Sequence, residues 1–429
     1  MDQFNASLWG DEAWAATLAV KPVLKIIQIV SRDTSPPLYY LLLHFWMKFF
    51  GTSEISIRSL SFSLFLATAV TVFFIGKKLF DKKTGFLAAL FTLVNPFLFN
   101  YAFEGRMYSL LALSCALSIY FFVKKNRLGF ILSTTAALYT HHFAIFIVVF
   151  EGFWTLTRIK RLSFKKIWKE FKVFFIIALL YLPWLYPLYL QTSLVSSGFW
   201  LGRPTLKNLI QTARQFLIGS GNEIFRKLAF LGILLALAGR RWLDNKSKTV
   251  FLFGWFFTPL LLTFLISQRF QSIFYDRYLL ATIPAALLVL SSNRRKITVF
   301  FLLFSMFFLL ILDIHYFTHP TKRPFRELAT FIKNNASGVA LINYSGSAHH
   351  LFESKYYGLS APIYSPQPLP FYTGTALMEK SDVIDKLPNE KIIGVITSNP
   401  EEKVKLPGYS LIKSKQFESL SFIWMEKTF

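Results

Sequence analysis

The stretch LSFSLFLATAVTVFFIGKKLFDKKTGFLAALFTLVNPFLFN, residues 60–100, places a long apolar run on each side of a short basic loop. Lys77, Lys78, Lys82 and Lys83 lie in that loop. An apolar run of about 20 residues suffices for an α-helix to cross the hydrocarbon core of a bilayer. Lysines between two such runs mark the cytoplasmic side. The stretch therefore predicts two membrane-spanning helices joined inside the cell.

The same alternation continues in both directions along the chain. Apolar runs lie at 59–76, 85–100, 107–123, 128–141, 143–157, 172–190, 226–239, 249–266, 278–292 and 297–314. Basic clusters fill alternate gaps, at 77–83, 124–127, 158–172, 240–248 and 294–296. The pattern predicts an α-helical polytopic membrane protein with about ten to eleven transmembrane helices. Its basic gaps are expected in the cytoplasm and the remaining gaps outside.

Composition supports a membrane protein over other classes. The chain is 54% hydrophobic and only 16% charged, whereas soluble domains average about 25% charged residues. The net charge of +24 lies largely in the short loops, where it sets topology, and we expect no nucleic-acid partner. Cys115, the single cysteine, lies within an apolar run, which argues against disulfides and thiolate metal sites.

The chain divides into two predicted domains. Residues 1–317 form a transmembrane domain whose first outer loop, 1–58, carries interfacial helices. Residues 318–429 are more polar and form a small extracytoplasmic α/β domain, with a helix at 324–335 and strands at 339–344 and 391–397. An outer position for residues 1–58 requires an upstream helix; alternatively the segment 36–50 itself spans, which places the N-terminus in the cytoplasm. We expect the upstream helix, with 36–50 lying along the interface.

The strongest candidate site is SLWGDEAW, residues 7–14, with Asp11 and Glu12 between Trp9 and Trp14. We expect the two tryptophans to hold this segment at the outer membrane interface. Ionisable groups at membrane depth are costly, so acids retained at a helix mouth are functional candidates. Adjacent like charges also raise the pKa of one of the two carboxyl groups, which suits a general base that works near neutral pH. The alternative is an ordinary helix start, where acids are common.

Further candidates come from four other outer segments. Asp33 precedes Pro36 and Pro37, which start a helix. Glu104, Arg106 and Tyr108 lie in NYAFEGRMYSL, residues 100–110, where a plain salt bridge is the alternative. The remaining candidates are His141 and His142 at one turn and Asp276, Arg277 and Tyr278 in YDRY, residues 275–278. Two adjacent histidines are a weak metal signal, so a divalent metal is left open. All these groups are predicted at one membrane height, which indicates a shared site.

These motifs resemble those of membrane glycosyltransferases of the GT-C fold. The resemblance rests on SLWGDEAW, DTSPPLYYLLLHFW at 33–46, FGTSEISIRSLS at 50–61, YAFEGRMYSL at 101–110 and YTHHF at 139–143. The most similar group is the family-39-like enzymes, related to protein O-mannosyltransferases and lipid A aminoarabinose transferases. The resemblance covers most of residues 7–290.

The resemblance implies transfer of a sugar from a polyprenyl-phosphate donor, with inversion, to an extracytoplasmic protein, lipid or glycan. It assigns Asp11 as the catalytic acid with Glu12 beside it, and Glu104 as the acid of the second outer loop. It matches Asp33 to an acid that lies near a metal in some relatives, and Arg58 to a position linked to the donor phosphate. Independently, an outward site suits a donor carried on a lipid phosphate, and the sequence has no G-x-G-x-x-G motif for a nucleotide sugar.

Two other classes compete with the enzyme. A lipid or sugar transporter or flippase would place polar groups near the midplane in repeated halves, and no repeat is visible. A receptor that displays residues 318–429 would leave the acids of several loops without a shared role. Neither the sugar nor the acceptor can be chosen from the sequence.

Overall fold

The apolar runs form helices, and most of the chain is helical. A computed structural model of the protein describes residues 2–159, 163–239, 246–293, 295–344 and 348–428. These fall into two compact units. The end unit comprises Met1–Thr34, Tyr40–Ile57 and His319–Phe429, and the membrane unit comprises Ser35–Tyr39 and Arg58–Thr318. The end unit therefore brings the first residues of the chain together with the last.

The helices that precede residue 319 are, in chain order, α1 (Gly10–Ala19), α2 (Val23–Val30), α3 (Leu38–Phe50), α4 (Glu54–Leu79), α5 (Lys82–Leu93), α6 (Pro96–Ala102), α7 (Tyr108–Lys124), α8 (Arg127–Thr140), α9 (Ala144–Thr157), α10 (Phe164–Tyr181), α11 (Leu185–Ser196), α12 (Leu206–Ile218), α13 (Glu223–Ala238), α14 (Lys246–Arg269), α15 (Ile283–Ser291) and α16 (Lys296–Thr318). Short 3-10 turns occupy Leu182–Trp184, Asp276–Tyr278 and Leu280–Thr282.

Each apolar run predicted from the sequence coincides with a helix, or with a bent pair of helices. Among the described residues, four segments are long and apolar enough to cross a membrane: α4, α10 with α11, α14 and α16. The pair α5 and α6, bent by 60°, raises the number to five. Tyr108–Lys124, Ala144–Thr157 and Leu280–Ser291 are apolar but shorter. The expected ten to eleven spans stay a prediction.

The basic gaps at 77–83 and 124–127 form tight connections between helices. Lys77 and Lys78 end α4, and the Asp81 carboxylate accepts the Thr84 N–H at 2.8 Å, which caps α5. Lys125 adopts a left-handed conformation with φ 58° and ends α7. Five residues of the predicted basic clusters lie outside the described residues: Lys160, Arg161, Arg240, Arg241 and Arg294.

Small residues permit close helix packing in the membrane unit. A Cβ atom on Gly76 of α4 would lie 2.6 Å from the Gly85 Cα of α5, so the two backbones meet at these glycines. Gly232 of α13 similarly faces Ser305 of α16. Close backbone approach at small residues is a general way to associate helices in a bilayer.

The tail forms a mixed sheet with two helices, α17 (Phe325–Asn335) and α18 (Ala348–Tyr356). Its strands are β1 (Ala340–Tyr344), β2 (Ile363–Tyr364), β3 (Val383–Ile384), β4 (Ile392–Thr397), β5 (Tyr409–Phe417) and β6 (Leu420–Lys427). The strand order is β3-β2-β1-β4-β6-β5. The first four strands in that order run parallel, and β6 runs antiparallel to β4 and β5. The predicted helix at 324–335 and strands at 339–344 and 391–397 coincide with α17, β1 and β4.

Hydrogen bonds link the two chain ends within the end unit. Arg326 of α17 donates to Glu54 Oε1 from Nε at 3.0 Å and from Nη2 at 2.6 Å. The Tyr357 hydroxyl donates to the same oxygen at 2.9 Å and accepts the Leu8 N–H at 2.8 Å. Helix α1 packs against α18. The N-terminal segment is thereby held by the C-terminal helices.

Candidate functional site

The two acids of the strongest motif lie in the first turn of α1 but in different surroundings. Glu12 is fully buried, and its Oε2 accepts the Trp9 N–H at 3.4 Å. Asp11 is half-buried. A carboxylate in the first turn is favoured by the helix dipole. The pair is therefore split into one buried acid and one acid with access to solvent.

Glu12 is paired with a lysine from the C-terminal part of the chain. Lys322 Nζ lies 3.1 Å from Glu12 Oε2, and only 12% of the lysine side chain is exposed. The sequence analysis missed Lys322 as a site residue. The available signal was the basic TKR, residues 321–323, directly after the last apolar run.

The tryptophans beside the acids belong partly to the protein interior. Trp14 is 5% exposed, its Nε1 donates to the Gly374 carbonyl at 3.3 Å, and its ring meets Tyr40 edge-on at 5.4 Å. The expectation that Trp14 is a membrane-interface anchor is therefore wrong, because its ring is enclosed by other parts of the end unit. Trp9 is half-buried.

Asp33 and Arg58 occupy helix boundaries. The Asp33 N–H donates to the Val30 carbonyl at 3.1 Å, which places this half-buried acid in the turn that ends α2. Arg58 lies one turn into α4 and is fully buried. It is among the largest side chains that the structure encloses completely, so its charge is removed from water.

In the membrane unit, Glu104 and Arg106 lie in the turn between α6 and α7. The Arg106 N–H donates to the Glu104 carbonyl at 2.7 Å. Ser61 of α4 donates to the Arg106 carbonyl at 3.5 Å, and its hydroxyl also shares a hydrogen bond with Tyr39 at 3.2 Å. The turn is thus tied to α4 through the backbone carbonyl of Arg106.

Asp276, Arg277 and Tyr278 form a 3-10 turn lined by aromatic rings. The Arg277 guanidinium lies 4.7 Å from the Tyr275 ring centre and 5.5 Å from that of Tyr108. Cation–π contacts of this length hold an arginine without neutralising its charge. Asp276 Oδ1 accepts the Arg277 N–H at 2.7 Å. Burial raises the pKa of Asp276.

The histidines of the α8–α9 turn differ in their contacts. His141 is buried with its ring 4.6 Å from that of Tyr278, and burial, with added positive charge from His142, Arg106 and Arg277, lowers its pKa well below the usual range. His142 Nδ1 contacts the Tyr181 hydroxyl at 3.2 Å and Nε2 contacts Gln191 at 2.7 Å. Burial lowers the His142 pKa to about 4. Both histidines are therefore neutral at physiological pH.

Several predicted residues of the membrane unit converge in one place. The Tyr101 hydroxyl is within electrostatic range of Glu104, Asp276 and Arg277, and the His141 ring is within range of Arg106 and Arg277. We refer to this group as the membrane-unit cluster, which consists of Glu104, Arg106, Tyr108, His141, Asp276, Arg277 and Tyr278. It combines two guanidinium groups with two acids and aromatic faces, and guanidinium groups of this kind suit an anionic ligand.

The histidine turn does not present a metal site. Both nitrogens of His142 are engaged by protein groups, and His141 Nδ1 accepts the Phe143 N–H at 3.1 Å. Within the described ranges of the chain, no three His, Cys, Asp or Glu side chains group as metal ligands.

The fold defines the class of protein. The structure is similar to ArnT from Cupriavidus metallidurans in the apo state, with 11% identity, 98% of this chain and 94% of that chain covered, and a TM-score of 0.67. ArnT from the same organism bound to undecaprenyl phosphate matches with 12% identity, 98% of this chain and 95% of that chain covered, and a TM-score of 0.63. An oligosaccharyltransferase from Archaeoglobus fulgidus, in complex with Zn and sulfate, matches with 14% identity, 91% and 64% coverage and a TM-score of 0.53. The chain therefore has the GT-C fold.

The family match makes the identification more specific. Residues 34–186 match the dolichyl-phosphate-mannose-protein mannosyltransferase family. Together with the fold, this match identifies the chain as a multi-pass membrane glycosyltransferase. No curated protein matches the sequence.

Proposed function

We propose that the protein transfers a sugar from a polyprenyl-phosphate donor to an extracytoplasmic acceptor, with inversion at the anomeric carbon. The observation that carries the proposal is the nearly full-length similarity to ArnT, which has been seen bound to undecaprenyl phosphate. The family match over 34–186 supports the same donor class. The proposal includes ten to eleven spans, with the site and the C-terminal residues 318–429 outside the cytoplasm.

Asp11 acts as the general base in this proposal. The acceptor hydroxyl gives its proton to the Asp11 carboxylate while its oxygen attacks the anomeric carbon from the face opposite the leaving group. The bond between that carbon and the phosphate oxygen breaks, and its electron pair stays with the lipid phosphate. The products are the glycosylated acceptor and the free lipid phosphate. The half-buried position of Asp11 at a helix start supports the assignment.

Arginines of the membrane unit bind the phosphate in this proposal. A lipid phosphate leaves as a stable anion, so it needs cations more than it needs a general acid. Arg106 and Arg277 are the candidates in the membrane-unit cluster, and Arg58 is the third. Guanidinium groups match phosphate oxygens with two parallel hydrogen bonds.

The remaining predicted residues are proposed to hold the sugar. Tyr108 and Tyr278, whose rings stack at 6.5 Å, offer apolar faces to a sugar ring. Neutral His141 and the carboxyl groups of Glu104 and Asp276 supply hydrogen-bond donors and acceptors for its hydroxyls. His142 is proposed to support His141 from the same turn, since its own ring nitrogens contact Tyr181 and Gln191. Asp33 is included in the proposed site because it is the first residue of the motif DTSPPLYYLLLHFW, residues 33–46.

The test is a donor assay with a substitution at the proposed base. Membranes that contain the protein are incubated with undecaprenyl-phosphate-linked mannose, glucose and aminoarabinose, and the release of undecaprenyl phosphate is measured. Asp11→Asn should lower kcat by about 10²–10⁴-fold, the typical contribution of a general base. Asp81→Asn is the matched control, because Asp81 also starts a helix and asparagine caps helices about as well. Near-normal transfer by D11N would exclude Asp11 as the base.

A further inference from the structure

The buried acid beside the proposed base belongs to a network supplied by the C-terminal part of the chain. Glu12 is fully buried on α1, and Lys322 lies in the connection between α16 and α17 with its Nζ 3.1 Å from Glu12 Oε2. A carboxylate removed from water is stable in its charged form only when a partner compensates it. Lys322 provides that compensation from more than 300 residues away in the sequence.

Three more charged or titratable groups surround this pair. Arg323 Nη1 donates to His350 Nε2 at 2.9 Å, and both residues lie in the C-terminal part of the end unit. Glu353 of α18 is 1% exposed and within electrostatic range of Arg323 and Glu12. Burial raises the pKa of Glu353 to about 8. Glu353 is then mostly neutral at pH 7, and Glu12 is the anion that Lys322 balances.

The network separates the roles of the two adjacent acids. The carboxylate of Glu12 is committed to Lys322 and to the Trp9 N–H. These contacts lock the first turn of α1, and the direction of the neighbouring Asp11 side chain is set by that turn. Helix α18 also packs against α1.

We propose that Lys322 is a positioning residue for the transfer reaction, which fixes Glu12 and through it the Asp11 carboxylate. The proposal rests on the proposed function of Asp11 as the base. It makes the connection between α16 and α17 part of the catalytic apparatus, with Glu12 as a structural anion. The cation has a second effect, because its charge favours the ionised form of the carboxylates around it.

The test replaces Lys322 by methionine, which keeps the aliphatic stem and removes the charge. In the release assay with the undecaprenyl-phosphate-linked sugar that the wild type uses, Lys322→Met should lower kcat at least tenfold. The KM for the donor should change less than threefold. The acidic limb of the profile of kcat against pH should move to higher pH, because the positive charge of Lys322 no longer favours the ionised form of the carboxylates around it. A merely structural role of Lys322 would not move this limb. Lys322→Arg should restore part of kcat.

The matched control is Lys21→Met. Lys21 belongs to the same unit and pairs with Glu379 at 3.7 Å, but Glu379 is 65% exposed. Exposed pairs of this kind contribute little, so K21M should retain kcat within twofold and an unchanged pH profile. A wild-type kcat and pH profile in K322M would overturn the proposal.

A double variant covers the case in which K322M does not accumulate as folded protein. Glu12→Gln with Lys322→Met leaves no unpaired charge buried, so it should fold, and its kcat should still be low. A normal kcat in the double variant would also overturn the proposal. The two proposals fail differently. Loss of transfer in D11N with normal K322M overturns only the role of Lys322, whereas normal transfer in D11N overturns both.

Discussion

Two carboxylates that are neighbours in the sequence have different environments in the folded protein. Asp11 is half-buried and Glu12 is enclosed with a lysine at 3.1 Å. The sequence analysis treated them as one acidic pair, because residues 7–14 contain no basic side chain that would distinguish the two acids. Contacts from a distant part of the chain decide their roles, and such contacts leave no mark in the local pattern.

Glu353 makes stability depend on pH. Its pKa rises from 4.5 to about 8 on burial, so the folded chain binds more protons than the unfolded chain between these values. The free energy of unfolding therefore falls as pH rises through this window, and the loss is complete above about pH 8. Glu353→Gln removes this loss. It should be more stable than the wild type at about pH 8.5 by on the order of 5 kcal/mol, because the pKa lies at about 8 in the folded chain against 4.5, and each pKa unit corresponds to about 1.4 kcal/mol.

Thermal unfolding in detergent, followed by circular dichroism, measures this difference. The two proteins should have similar stability near about pH 5, below most of the window in which the wild type releases its proton. Glu379→Gln, which changes an exposed acid of the same unit, should leave the pH dependence unchanged. Equal stability of E353Q and the wild type at the higher pH would contradict the assignment of Glu353 as a buried titrating group.

At the scale of helices and strands, the apolar runs of the sequence predicted the positions of helices in the membrane unit. Each predicted apolar run coincides with a helix, since twenty apolar residues leave few alternatives to a helix. The bend of 60° between α5 and α6 follows Asn95-Pro96, where asparagine caps α6 and proline occupies its first turn. Hairpin β5–β6 and helix α18 were not predicted. Strand β5 is mostly exposed and does not alternate in burial, so its sequence lacks the usual period of two.

The glycines between α4 and α5 predict a packing defect on substitution. A Cβ atom on Gly76 would lie 2.6 Å from the backbone of Gly85, so Gly76→Ala must push the two helices apart. Overpacking of this kind costs about 1–3 kcal/mol, and a lower midpoint of thermal unfolding in detergent should report it.

The matched control is a glycine with open space around it. In α9, a Cβ atom on Gly152 would meet only Phe171 Cε1 at 3.9 Å. Gly152→Ala should therefore be neutral or slightly stabilising, because alanine favours helices over glycine by about 0.8–1 kcal/mol. Equal midpoints for the two variants would contradict the close contact.

At the scale of the whole molecule, the membrane unit contains most of the predicted site and the end unit contains the rest. Sequence motifs identified members of both: Glu104, Arg106 and Arg277 in the first, Asp11 and Asp33 in the second. The membrane-unit cluster was predictable, because topology alone places the outer turns of neighbouring helices at one height. The pairing of Lys322 with Glu12 and the contact between α1 and α18 could not be predicted, because they depend on how the C-terminal residues fold against residues 1–57.

A chain that ends at residue 318 should lose order in α1. It lacks Lys322, α18 and the carbonyl of Gly374, all of which contact α1. Hydrogen–deuterium exchange of the peptide that covers Gly10–Ala19 should be at least tenfold faster than in the full chain. Exchange in α4 between residues 62 and 79, which lies in the membrane unit, serves as the internal control and should change little. Unchanged protection of Gly10–Ala19 would contradict the role of the tail in holding α1.

The end unit is built from both ends of the chain, and this imposes an order of events during synthesis. Residues 1–57 leave the ribosome well before residues 319–429, which contain partners that enclose Glu12 and Trp14. At about 5–20 residues per second, the intervening segment takes on the order of tens of seconds to translate. Throughout that time Glu12 and Trp14 are not yet enclosed, and the end unit forms only after residues 319–428 have been synthesised.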